Sequence, residues 1–147
     1  AFRRTASQRT TVDEAMDDVH HISVFIERPP SEVYEFASDP CNLPRWAAGL
    51  ARSAVTPEGS RWVVDAPFGR VTVRFAQRNE FGVMDHDIEL ESGEVIHNPM
   101  RVVQHGSGSE LTFTLFRQPG MSDERLDKDR RAVERGARPL AETDLEL

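Results

Sequence analysis

The stretch SDERLDKDRRAVERGARPLAETDL, residues 122–145, decides how the chain is read, because no other segment is long and charged enough to form an extended surface helix. Ser122 can accept a hydrogen bond from a first-turn N–H, and Asp123 and Glu124 suit the positive end of the helix dipole. Glu124–Lys128 and Asp127–Arg131 set an acid four residues before a base, each pair worth a few tenths of a kcal/mol. At roughly 100° per residue, Leu126, Val133, Ala137 and Leu140 fall on one narrow stripe. A helix with so thin an apolar face cannot be a core by itself. It needs a sheet to lie against.

Two residues weaken that helix. Gly136 costs about 1 kcal/mol relative to alanine. Pro139 removes an i→i−4 bond and crowds the carbonyl of Arg135. The pattern leaves two outcomes there, a kink or the start of a second short helix.

The chain before the helix supplies the sheet. His20 to Glu27 alternates, with Ile22, Val24 and Ile26 on one face. Pro29 and Pro30 end this strand, and Ser31 is a plausible N-cap for a short helix carrying Val33, Tyr34, Phe36 and Ala37. A second short helix has Pro44 near its first turn, Leu43, Trp46, Ala47 and Leu50 as its apolar side, and Gly49 at its close. Strands are expected over Ala51–Thr56, Arg61–Ala66, Arg70–Gln77, Met84–Glu91, Val95–Gln104 and Glu110–Arg117. The run Met84–Glu91 is the cleanest, with Met84, His86, Ile88 and Leu90 on one side and four carboxylates on the other. Ile96, Asn98, Met100 and Val102 share a face of the next strand, where Pro99 marks an edge or a bulge. One-sided strands joined by tight turns imply an antiparallel sheet with one face wet.

Composition narrows the function. With 147 residues the chain is one domain by prior, and its formal net charge of −7 argues against binding a phosphate backbone. No apolar run approaches the roughly 20 residues of a membrane span. No signal-peptide core is evident either, which points to the cytoplasm. Cys41 is the single cysteine, so neither an internal disulfide nor a thiolate cluster can form. Residues 1–18 read as a flexible tail, with Met16 a candidate natural start, and residues 19–147 as the folded domain.

Particular residues in this order resemble the START-like superfamily of helix-grip proteins, the group that includes polyketide cyclase/dehydrase-like members. They are Ile26–Pro30 leading into Ser31-Glu32-Val33-Tyr34-Glu35-Phe36, then Asp39-Pro40-Cys41-Asn42-Leu43-Pro44-Arg45-Trp46. The Thr112–Phe116 strand running into the final helix is the third match, so the resemblance spans most of the chain from Val19 onward. It implies an α+β helix-grip fold: a curved seven-stranded antiparallel sheet around a long C-terminal helix, with two short helices after the first strand. It also implies a hydrophobic cavity between sheet and helix. It does not fix an activity, because such folds bind lipids, hormones or polyketides and some are enzymes.

Alternation turns His86 inward among apolar neighbours, where desolvation would lower its pKa and leave a neutral imidazole able to orient a ligand or act as a base. A core histidine satisfied by a carbonyl is the plainer reading. Asn98 faces inward beside Met100 and can reach a ligand carbonyl or hydroxyl, or else serve the turn at Pro99. Arg117 ends the inward face of the last strand and can hold an anionic head at the mouth, or sit solvated. Trp46, Trp62, Phe75, Met100 and Phe113 are expected to line the cavity or fill the core. Asp85, Asp87, Glu89 and Glu91 read as a solvated outer row, and no metal or cofactor is expected. Three functions stay open: binding of a small hydrophobic molecule, a cyclase or dehydratase using His86 with Asn98, and a protein-interaction module with a vestigial cavity. A second copy of the chain is admitted as a partner.

Overall fold

The computed structural model describes residues 18–47 and 55–142. The tail up to residue 17, Gly49 and Leu50 of the second helix, and the first residues of the strand expected from Ala51 lie outside them. β1 (Val19–Ile26) leads to α1 (Pro30–Ala37). Pro30 starts α1 with its φ already helical. The cap position falls to Pro29 and carries no side-chain bond, so Ser31 sits inside the first turn instead of capping it. Val33, Tyr34, Phe36 and Ala37 are its buried face. Asp39 then accepts the Cys41 N–H at 3.0 Å and opens a 3₁₀ turn, Pro40–Asn42, that runs straight into α2 (Leu43–Trp46).

Five strands form one antiparallel sheet in chain order: β2 (Val55–Glu58), β3 (Arg61–Ala66), β4 (Gly69–Phe75), β5 (His86–Glu89) and β6 (Val95–Asn98). A second sheet has β8 (Gly108–Phe116) between β1 and β7 (Met100–His105). Eight strands therefore stand where seven were expected. The extra one comes from dividing the Val95–Gln104 run at Pro99, which has no N–H to give to β8. Thr114 donates to the Pro99 carbonyl at 2.9 Å, and nothing can return that bond.

The division breaks hydrogen bonds without shifting the register. His86 faces Asn98 and, further along, Val83 still faces Arg101. Met84 N–H donates to the Met100 carbonyl at 2.8 Å and Val102 N–H to the Gly82 carbonyl at 3.0 Å, so the two sheets adjoin here. Alternation also stays in phase, with Asn98, Met100 and Val102 buried and His97 and Arg101 exposed. No bulge residue has been inserted.

α3 (Asp123–Glu142) is one helix, so a separate second helix does not begin at Pro139. Ser122 Oγ accepts the Arg125 N–H at 3.1 Å, as its sequence position implies. Asp127 pairs with Arg131 at 2.7 Å and also with Arg130, whereas Glu124 and Lys128 make no ion pair among the described residues. Leu126 and Leu140 are buried; Val133 and Ala137 are half-buried. The helix lies along β1 and against α2. At the α2 crossing a Cβ on Gly136 would come closer than 3.0 Å to the Trp46 carbonyl oxygen. The glycine is what lets the two backbones touch, and the reading of Gly136 as mere weakness is corrected accordingly.

Candidate functional site

The inner face of the sheet carries a transverse row, Phe75 on β4, His86 on β5 and Asn98 on β6, each facing the next in register. Cross-strand neighbours on one face sit about 5 Å apart at Cβ, so these side chains meet. Phe113 of β8, paired with Met100 of β7, continues the row past the division at Pro99. Trp46 comes in from α2, with α3 behind it.

His86 is the centre of this group. Its ring centroid lies 5.1 Å from Phe75, 5.9 Å from Phe113 and 6.0 Å from Trp46, the last edge to face. Its Nδ1 is 3.1 Å from the Met84 carbonyl oxygen. A carbonyl can only accept, so Nδ1 carries the proton and Nε2 of the neutral ring is left with a lone pair. Burial pushes the imidazole pKa below its ordinary value, against smaller opposing pulls from the Met84 carbonyl, Asp85 and Asp87. The ring is thus neutral at physiological pH.

Two further polar groups beside it lack partners. The Trp46 indole N–H is buried with no hydrogen-bond partner among the described residues. The Asn98 side chain, only 6 % exposed, makes no hydrogen bond to any described residue, but its amide atoms keep contact with solvent. One acceptor, one donor and one amide that is both are gathered on a face otherwise built from Met84, Ile88, Met100 and Val102. Leaving a buried donor such as the Trp46 indole N–H unmade costs about 1–3 kcal/mol, so it is unusual in a plain core.

A family model for polyketide cyclase / dehydrase and lipid transport proteins matches residues 20–145. The chain belongs to this family. No curated protein matches it. Among solved structures it is similar to XoxI from Bacillus cereus, 16 % identical with a TM-score of 0.67, over 85 % of this chain and 94 % of that one. CalU16 from Micromonospora echinospora is 15 % identical with a TM-score of 0.61, over 84 % and 71 % of the two chains. The Aha1 dimer from Colwellia psychrerythraea is 12 % identical with a TM-score of 0.67, over 88 % and 96 %. At these identities the likeness carries the helix-grip fold of the family and nothing finer.

Of the residues singled out from the sequence, His86, Asn98, Trp46, Phe75, Met100 and Phe113 come together. Trp62 is half-buried on β3, opposite Val73 and Pro57, on the same inner face but one register step along from the row. Arg117 is engaged elsewhere. Its guanidinium donates to Asp18 Oδ1 at 2.6 Å, to Asp123 Oδ1 at 2.6 Å and to the Met121 carbonyl at 3.0 Å. It clasps the end of β8 to the start of α3, and its guanidinium is committed to these three partners.

The outer carboxylate row is mostly solvated, with Asp87 on His97 Nδ1 at 2.6 Å and Glu91 accepting the Arg70 N–H at 2.9 Å. Asp85 departs from it. Its Oδ1 accepts the Met100 N–H at 2.9 Å and its Oδ2 takes Arg101 Nη2 at 3.2 Å. Burial raises its pKa, but the Arg101 and Met100 bonds outweigh that and hold the carboxyl below its usual range. The signal was available: counting back from the Ser92-Gly93 turn puts Asp85 opposite Pro99. Desolvation and the neighbouring Asp39 hold the exposed Cys41 thiol above its ordinary range, so it is no activated nucleophile.

A concavity of about 720 Å³ lies outside this group, between the start of α1, residues 78–82 and β7. Exposed Phe81 and Val103 line it, and none of the sequence-selected residues does. Among the described residues no helix is long and apolar enough to cross a membrane.

Proposed function

We propose that the protein binds a small, largely apolar molecule against the inner face of its sheet, beneath α3, and holds it by polar contacts to His86, Trp46 and Asn98. One observation carries the reading: the Trp46 indole N–H is buried without a partner beside an imidazole whose Nε2 is free. A ligand acceptor on the indole and a ligand donor on Nε2 would complete both, each contact worth about 0.5–1.5 kcal/mol net. The surrounding Phe75, Phe113 and Met100 supply apolar area at about 25 cal/mol per Å² buried. Orientation is favoured over proton transfer at His86, because burial disfavours the imidazolium that a general base must become.

The test is native mass spectrometry of protein purified from its own cells, beside a titration of apo protein with 2-naphthol followed by tryptophan fluorescence. A retained small molecule, or saturable quenching that weakens about tenfold in His86→Phe, is the expected result. No adduct together with no saturable quenching refutes the proposal.

A further inference from the structure

Residues 84 and 100 are partners in an antiparallel ladder and would ordinarily exchange both backbone bonds. Only one is made, from Met84 N–H to the Met100 carbonyl at 2.8 Å. The Met100 N–H turns to Asp85 Oδ1 at 2.9 Å, and the Met84 carbonyl is taken by His86 Nδ1 at 3.1 Å. Two adjacent side chains on opposite faces, Asp85 just before β5 and His86 at its first position, have replaced a single ladder bond. Arg101 holds the carboxylate in place from the far side through its Nε and Nη2.

We propose that Asp85 is a positioning residue for His86: by taking the Met100 N–H it reserves the Met84 carbonyl for His86 Nδ1–H and so fixes the imidazole as the Nδ1–H tautomer. Without the carboxylate, Met100 N–H falls back on the Met84 carbonyl, the partner an unbroken ladder gives it. His86 then shares the two lone pairs of that oxygen with Met100 N–H, which weakens the contact that distinguishes its two nitrogens. The consequence is one of specificity, and it rests on the inner face being a ligand site. With Nε2 an obligatory acceptor, the ligand atom set against His86 must be a hydroxyl or N–H donor. A carbonyl or ether oxygen there would face another lone pair and leave both unpaired.

The experiment has two arms. Long-range ¹H–¹⁵N correlation spectra of ¹⁵N-histidine protein, above the imidazole titration range, read the tautomer directly, with the His86 signals identified by their loss in His86→Gln. Wild type is expected to show Nδ1 protonated and Nε2 bare. Asp85→Ala is expected to move a large part of the population to Nε2–H, while Asp85→Asn, whose amide oxygen still accepts from Met100, keeps the wild-type tautomer. Should Asp85→Ala not fold, Asp85→Ser serves, since its oxygen is too short to span the same distance. An Nε2–H wild type, or a folded Asp85→Ala or Asp85→Ser with unchanged tautomer, overturns the positioning role.

The second arm compares 2-naphthol with 2-methoxynaphthalene, which lacks the donor. Wild type is expected to favour the naphthol about tenfold, the preference collapsing in Asp85→Ala. Equal affinity for the two in a wild type of the expected tautomer overturns the ligand-site reading and leaves the role of Asp85 standing.

Discussion

Replacing Gly136 with alanine tests whether α3 is seated on α2 or merely lies near it. At an unencumbered interior helix position the change stabilises by about 1 kcal/mol, because the glycine's backbone freedom is removed from the unfolded chain. At Gly136 the new Cβ meets the Trp46 carbonyl oxygen inside 3.0 Å, and that oxygen is backbone, so no side chain can swing aside. α3 must lift, at an overpacking cost of about 1–3 kcal/mol. Lifting also uncovers part of Leu140, one turn on and only 2 % exposed, whose full burial is worth about 1.5–3 kcal/mol. The opposing terms leave Gly136→Ala less stable by about 1–2 kcal/mol, a fall in Tm of roughly 3–8 °C for a domain of this size. Urea denaturation followed by far-UV circular dichroism gives the magnitude. Fluorescence in a Trp62→Phe background gives the place, since Trp46 emission shifts to the red as the helix lifts. A variant stabilised by about 1 kcal/mol with unchanged Trp46 emission would refute the seating of α3 on α2.

Two other outcomes follow from the same contacts. The buried His86 has a folded pKa below the ordinary 6.5, so the unfolded chain binds the proton first and stability is lost as pH falls below that value. The slope is up to about 1.4 kcal/mol per pH unit down to the folded pKa, and His86→Phe should abolish that share of it in urea titrations at successive pH values. Arg117→Gln cuts the bonds to Asp18 and Asp123, so it should speed hydrogen exchange at the Val19–Phe116 end of the β1–β8 ladder and leave 2-naphthol affinity unchanged. Weakened affinity with unchanged exchange would return Arg117 to the site.

The inner face was legible because its signal is a period of two set against a dry layer. Met84, His86 and Ile88 on one strand and Asn98, Met100 and Val102 on the next are buried as alternation requires. The long helix was legible from its charges, its cap and its narrow stripe. The strand count was not, because Pro99 interrupts hydrogen bonding while leaving side-chain phase intact, and periodicity reads only the phase. Gly136 was misjudged for a related reason. Propensity is a property of the isolated helix, whereas the approach of Trp46 is a property of how α2 and α3 cross.

Orphaned polar atoms are the part no sequence pattern could deliver, and they turn an inward histidine into a candidate site. Capping the Met84 carbonyl explains Nδ1 alone, and that structural duty would be complete with Nε2 accepting from water or a backbone N–H. Instead three aromatic rings surround His86, one of them, Trp46, has its own N–H buried and unmade, and the amide opposite in register makes no hydrogen bond to a described residue. The buried indole N–H alone costs about 1–3 kcal/mol, against a total stability for a domain of this size of about 5–15 kcal/mol. Unrelated packing defects would fall anywhere on the face. Here the imidazole, the unmade indole N–H and the Asn98 amide lie together at the end of α2, where the proposed ligand would meet all three at once.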